Sequence, residues 1–473
     1  MQSLRMDTTL VICTDGASYR NFVNASVIGH VAKRSKIVIV CASWMVSDLQ
    51  KRIPQATLYP VYQPSTWEAA VDHIRMTRTI YPAAIYPEIK SSTLKIKQDR
   101  ALQETPLSFY TRRVLAVLTR PRFVQSLMRG IAWQWKKQPV RDVFRHHVFS
   151  RVFSTNVMTL DHLPYVESAM RKKIPVVSVI GSWDNLSSKG TPMYLPDLLL
   201  LWSPKEVEES TSMHRIPPHI LRVVGAAQFD PYILGGVPSK AEVFRKLKIP
   251  TKSVVITYVG GIPQNVAGLT EENERIILET VLKGIDEGIL PKSTIVVIRP
   301  HPGVKDWVQY RRFEQHPQVR MNYPSWFVQG KEAPKSWNPD WEDHLFMGAL
   351  MKYSDVAITP GGSSTLDAAC FDTPTVNVYF DNPPRPYLQS LRSHCDFQHL
   401  AYIRDYMASP FAESPQELLM CVKDALDHPK KLSRQRQRML DMLIGPHDGQ
   451  SAKRIADAVM SLGDSQRIMH PQP

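Results

Sequence analysis

The sequence predicts an α/β protein made of two doubly wound, parallel-sheet domains. Short, near-continuous runs of Val, Ile and Leu alternate with helical stretches, as expected for parallel strands buried on both faces. The alternation breaks once, at the turn-rich stretch Phe229-Asp-Pro-Tyr-Ile-Leu-Gly-Gly-Val-Pro-Ser239. At 473 residues the chain also exceeds the size at which a single core stops growing.

The first elements read as a strand at Thr9 to Cys13, a helix at Asn21 to Lys33 and a strand at Lys36 to Cys41. Further strands are expected at Ala83 to Tyr86, Val157 to Leu160, Pro175 to Ile180, Leu198 to Trp202 and Leu221 to Val224. The second series gives strands at Ser253 to Tyr258, Thr294 to Ile298, Asp355 to Thr359 and Thr375 to Tyr379. Helices are expected at Thr270 to Glu287, Ser364 to Cys370, Pro415 to Leu426 and Ser451 to Leu462. The glycines and proline at 235, 236 and 238 place the boundary, giving domains 1–235 and 236–473.

Hydrophobic residues at 43% and charged residues at 22% exclude a disordered chain. Five cysteines without a CxxC pair fit reduced thiols and a cytosolic setting. The apolar run before Asp15 is short for a signal-peptide core, and no stretch of about 18 apolar residues appears. The net charge of +14 is uneven: residues 90–151 hold fourteen Lys or Arg against Asp99, Glu104 and Asp142, a net +11. Phe109, Tyr110, Phe123, Trp133, Trp135, Phe144 and Phe149 lie among them. This reads as a basic helical insert suited to an anionic membrane surface, with a solvated insert whose aromatics pack inward as the plain alternative. Nucleic acid is not expected as a partner, because no recognised nucleic-acid fold accompanies the charge.

The segment Tyr353 to Tyr379 is the most informative. Its strand runs into Gly361-Gly362, and Ser363-Ser364-Thr365 opens the next helix. Glycines let a phosphate approach the backbone, and a helix N-terminus offers N–H groups and the positive end of its dipole. Asp367, one turn on, is placed to accept from a ribose hydroxyl; the plain alternative is a tight turn with Ser364 as a cap. The run Thr294-Ile-Val-Val-Ile-Arg-Pro-His-Pro-Gly303 puts Arg299 and His301 at the ligand-binding edge of a parallel sheet. Gly260 and Gly261 follow the strand before it.

In the first domain, Val179-Ile-Gly-Ser-Trp-Asp-Asn-Leu-Ser-Ser-Lys-Gly190 presents Trp183, Asp184, Asn185 and Lys189 after a strand. Asp184 is the first candidate base, Asp15 the second and Asp161 the third; each is also a plausible helix cap or turn acceptor. Trp183, Asn185, Lys189 and Arg20 are the candidate acceptor contacts.

Asp355 to Tyr379, with Arg299-Pro-His-Pro-Gly303 and Val223-Val-Gly-Ala-Ala-Gln-Phe-Asp-Pro231, resembles the donor half of GT-B glycosyltransferases of surface-polysaccharide assembly and their CDP-glycerol glycerophosphotransferase relatives. The resemblance implies two Rossmann-like domains facing across a cleft, the N-terminal one for the acceptor and the C-terminal one for a nucleotide-activated donor. It implies that His301 meets the donor phosphate or nucleotide, Ser363 and Ser364 the phosphate, and Asp367 the ribose. Gly260, Gly261, Arg299, Gly361, Gly362 and Thr365 complete the expected donor set. Seven residues after Asp367 the chain begins Pro374-Thr-Val instead of supplying a second carboxylate, which favours inverting displacement over the Glu-x7-Glu pattern of retaining relatives. The expected reaction moves a sugar from a UDP- or CMP/CDP-type donor to a lipid-linked or surface-glycan acceptor, with no metal or other cofactor. The chain is then a cytoplasmic protein peripheral to the inner face of the membrane. Alternatives are a glycerol- or ribitol-phosphate transferase, a UDP-sugar 2-epimerase, and a non-catalytic nucleotide-sugar or membrane-surface binding protein. Oligomeric state is not set by the sequence.

Overall fold

A computed structural model describes residues 7–69, 71, 90–119, 121, 123, 124, 127, 138–261, 269–301, 308–324 and 340–462. The expected strand at Ala83 to Tyr86, the residues Trp133 and Trp135, and Pro302 and Gly303 lie outside these. The chain divides into two compact units, one of residues up to Asp230 together with those from Leu443 on, the other Pro231–Met442.

The first unit carries β1 (Thr8–Cys13), β2 (Lys36–Cys41), β3 (Thr57–Pro60), β4 (Arg151–Ser154), β5 (Val176–Val179), β6 (Leu198–Leu201) and β7 (Leu221–Val223) in one sheet ordered β3-β2-β1-β4-β5-β6-β7. Every neighbouring pair is parallel, with Thr8 opposite Lys36 and Thr9 opposite Arg151. The second unit carries β8 (Val254–Val259), β9 (Thr294–Arg299), β10 (Val319–Met321), β11 (Val356–Thr359), β12 (Thr375–Val378) and β13 (Phe411–Ala412), ordered β10-β9-β8-β11-β12-β13 and again parallel. Four-residue strands such as Leu198–Leu201 are wholly buried, which is why their sequences show no polar alternation.

Helix starts follow local chemistry. Ser203, Ser239 and Ser414 each accept from the N–H of a glutamate three residues on, and Thr270 accepts from Asn273 N–H at 3.1 Å.

Three expectations are corrected. The helix expected at Asn21 to Lys33 is broken: a π-helical turn spans Tyr19–Asn24, Ser26 turns left-handed at φ 66°, and an α-helix resumes at Val27–Ala32. Asn21 is buried there, its amide donating to the Gly181 carbonyl at 3.2 Å. The strand expected at Val157 to Leu160 lies earlier, at Arg151–Ser154, because Arg151 is a core residue and not the end of the basic insert. Its guanidinium donates to the Leu462 carbonyl at 2.6 Å and pairs with Asp7 at 2.8 Å. The third concerns the C-terminus: the helix Ser451–Ser461, which the sequence boundary gave to the second domain, belongs with the first unit. Asp230 accepts from Ser451 and Ala452 N–H, and Arg454 donates to the Val224 carbonyl at 2.9 Å.

Candidate functional site

In the second unit the connections leave β8 toward β9 and β10 on one side and run from β11 toward β12 and β13 on the other. The strand order therefore reverses between β8 and β11, where the two diverging loops leave a crevice at the carboxyl ends. Both Gly-Gly pairs sit there: Gly260 and Gly261 follow β8, and Gly361 and Gly362 follow β11. Gly361 is left-handed at φ 97°, and a Cβ on it would press Leu400 at 3.3 Å, so glycine is required. At Gly362 nothing lies within 4 Å of the Cβ position, so the backbone is open to an approaching group.

The helix Ser364–Ala369 begins at this crevice. Thr365 N–H donates to the Gly362 carbonyl at 3.2 Å, so the amides of Ser363 and Ser364 precede the first intrahelical bond. Ser363 is exposed and Ser364 half-buried, its hydroxyl donating to Thr359 Oγ1 at 3.1 Å. Thr365, expected to line the donor site, is instead buried and bonds Asn377 at 3.3 Å, so its side chain fixes the helix to β12.

Gly260 and Gly261 are held from beneath by a residue the sequence reading missed. Glu274, on the helix Glu271–Asp286, is fully buried and accepts from Tyr258 at 3.1 Å, from Gln309 at 3.1 Å and from the Tyr310 hydroxyl. The Gly261 N–H donates to it as well, and burial raises its pKa above the ordinary carboxylate value. A Cβ on Gly260 would collide with the Tyr310 hydroxyl. In sequence Glu274 looks like one more acid in the first turn of an amphipathic helix, and only the fold turns it inward.

Arg299 is also reassigned. Expected to face the donor, its guanidinium is buried and bidentate on Asp343 at 2.9 and 2.6 Å, with Asn322 as a further acceptor. It ties the end of β9 to the helix Trp341–Tyr353. His301 stands beside it, and burial together with the Arg299 charge pushes its imidazole down to about 4. A neutral His301 offers a directed hydrogen bond and no charge. Asp367 accepts from the buried Tyr232 hydroxyl at 3.0 Å, and Tyr232 stacks on His344 with centroids 5.2 Å apart.

The first unit has its own reversal, between β1 and β4. Asp15 lies there and caps the turn after β1, accepting from Ser18 N–H and Oγ at 2.8 Å each. Thr14 beside it meets His162 Nε2 at 3.1 Å, and His162 Nδ1 meets Ser154 at 2.8 Å. Tyr194 continues this buried chain, donating to Ser154 at 2.6 Å and bonding Ser178 at 2.8 Å. Burial pushes the His162 imidazole down to about 4, against an opposing influence of Asp15. Asp161, its neighbour in the turn Leu160–His162, is exposed.

The Trp183 to Lys189 loop follows β5, one strand beyond β4. Trp183 is buried, so it is a packing residue and no sugar-stacking platform; Asn185 is likewise buried. Asp184 accepts from Ser188 Oγ at 2.8 Å, and Lys189 is exposed. Arg20 donates to Asn21 at 2.9 Å and to the buried Gln228. The insert reaches this loop: Ser91 donates to the Ser187 carbonyl and Lys97 to that of Ser188 at 2.8 Å. Among the described residues no cluster of three or more His, Cys, Asp or Glu could hold a metal ion.

Neither a protein-family model nor a curated protein sequence matches the chain. Solved structures do. A putative UDP-N-acetylglucosamine 2-epimerase from Listeria monocytogenes is similar at a TM-score of 0.56 and 12% identity, over 96% of each chain. The UDP-GlcNAc 2-epimerase of Neisseria meningitidis, solved with UDP-GlcNAc bound, is similar at 0.51 and 12% identity over 96% of this chain and 100% of its own. The glycotransferase of kitacinnamycin is similar at 0.50 and 11% identity, over 97% of this chain and 100% of its own. With its two parallel-sheet α/β units, the chain has a GT-B-like fold, matching these structures.

Proposed function

We propose that the protein is a glycosyltransferase that takes a sugar from a nucleotide-activated donor and passes it to a glycan or lipid-linked acceptor. The observation that carries the reading is the pairing of two Gly-Gly loops at the strand-order reversal of the second unit: Gly260 is packed against Tyr310 and Glu274, whereas Gly361 is left-handed and Gly362 beside it is open. Backbone amides of Ser363 and Ser364, with an exposed hydroxyl, suit the oxygens of a diphosphate. His301, neutral, would donate to the same group or to the base. The fold is shared with an epimerase solved with UDP-GlcNAc, which supports a sugar nucleotide as ligand. The first unit is proposed to bind the acceptor, with Asp184 proposed as the base that takes its proton and Asp15 proposed to orient the β1 loop through its cap. Transfer is proposed to invert the anomeric centre by single displacement, without a bound metal.

The test is a thermal-shift titration with UDP, CMP, CDP and GDP. Ligand binding to the folded state raises the apparent melting temperature by mass action. One nucleotide should raise it, and Gly362→Val, whose side chain enters open space, should abolish the rise while leaving the melting temperature without ligand unchanged. No rise with any nucleotide would refute the donor site. With the donor so identified, Asp184→Asn should keep the shift and lower sugar transfer by roughly 10²-fold or more. Epimerisation of UDP-GlcNAc with no acceptor present would favour the epimerase reading instead.

A further inference from the structure

The helix Pro106–Leu118 of the insert is sided in an unusual way. Phe109 and Ala116, seven residues apart, are its buried side. Leu107, Tyr110, Val114, Val117 and Leu118 are 80, 56, 57, 52 and 62% exposed. Spacings of three, four, three and one residue put these five on one face, opposite Phe109 and Ala116. A surface helix normally shows water its polar side, so a continuous apolar stripe of this kind marks a contact surface. Phe123, 73% exposed, follows the helix.

Charge selects what covers it. Arg113 is exposed at one border of the stripe, and the 90–151 segment is basic overall. A second copy would bring the same positive segment against itself. Length sets the mode: thirteen residues span about 20 Å, and among the described residues no helix is long and apolar enough to cross a membrane. A short helix with an apolar face, set in a basic segment, lies in the plane of an anionic bilayer. Among the described residues, Phe109, Phe144 and Phe149 of the insert are buried and separate from this role.

We infer that the 107–110–114–117–118 face is a docking surface for an anionic lipid bilayer, inserted in the plane of the headgroups. This rests on the proposed function only in giving a lipid-linked acceptor a place to be met; the surface itself is argued from exposure and charge. The experiment is flotation of the full chain with vesicles of about 30% phosphatidylglycerol in phosphatidylcholine and with pure phosphatidylcholine, for the wild type and Leu107→Glu/Val114→Glu/Leu118→Glu. All three positions are exposed, so the variant should keep the wild-type melting temperature and sedimentation. The wild type should float with the anionic vesicles, weaken as salt is raised to about 0.5 M, and bind neutral vesicles poorly. The variant should bind roughly tenfold less or weaker still. No flotation of the wild type, equal flotation of the variant, or a wild-type dimer in light scattering that the variant lacks would each overturn the inference. No nucleotide is used, so failure here and failure of the donor site are read separately.

Discussion

At the scale of single residues, burial decides which polar side chains remain for chemistry. Arg299 sits at a strand's carboxyl edge, where a ligand contact is expected, yet Asp343 and Asn322 take its donors. Removing either partner of such a buried pair leaves an uncompensated charge, which explains why the fold holds it in a bidentate grip. His162 carries a measurable consequence. Its imidazole is held at about 4 against an ordinary 6.5, so between these values the unfolded chain binds a proton that the folded chain refuses. Stability is therefore full above about pH 6.5 and falls as the pH drops toward 4, by about 3 kcal/mol at most from this group. Urea midpoints at pH 7 and pH 4.5 should fall further apart in the wild type than in His162→Gln. An equal drop in both proteins would assign the pH dependence to other groups.

At the scale of elements, the two Gly-Gly loops are glycine-rich for different reasons. Gly260 has no room: Tyr310 and Glu274 fill the space a Cβ would need. Gly362 has nothing near it. Gly260→Ala should therefore cost about 1 to 3 kcal/mol of stability through overpacking, read from the urea midpoint, while Gly362→Val should cost little. A neutral Gly260→Ala would mean that the Glu274 cluster yields easily and does not set the loop. The helix start at Pro415 was legible and is locally capped, because Ser414, three residues before Glu417, satisfies an orphan N–H by a local bond alone, whereas the helices after Ser203 and Ser239, capped in the same way, were not expected. The short strands Thr57–Pro60, Val319–Met321 and Phe411–Ala412 were not, since each is an end strand of its sheet with few residues to make a pattern.

At the scale of the whole molecule, the chain leaves the first unit near Asp230 and comes back to it at Leu443. The return is fastened by Asp230, which accepts from Ser451 at 3.1 Å and Ala452 at 2.8 Å and so caps the helix Ser451–Ser461 from a distance of more than two hundred residues. Asp230→Ala should lower the stability of the first unit by about 1 to 2 kcal/mol, seen as a lower urea midpoint for probes in that unit. An unchanged midpoint would show that packing of Ile455 and Val459 alone holds the helix.

By itself the sequence determined that the protein is two parallel α/β units with glycine loops after particular strands, because strand burial, helix capping and turn chemistry are written in neighbouring residues. Gly361, Gly362, Ser363 and Ser364 were legible as a glycine turn into a helix N-terminus on those grounds. Tertiary structure decided the rest. It turned Glu274 beneath one glycine loop, spent Arg299 on Asp343 and Thr365 on Asn377, and buried Trp183. It also returned the last helix to the first unit and left the apolar face of Pro106–Leu118 outward. The reason is physical: whether a polar or apolar side chain meets solvent or the core depends on partners tens to hundreds of residues away, and local pattern carries no record of them.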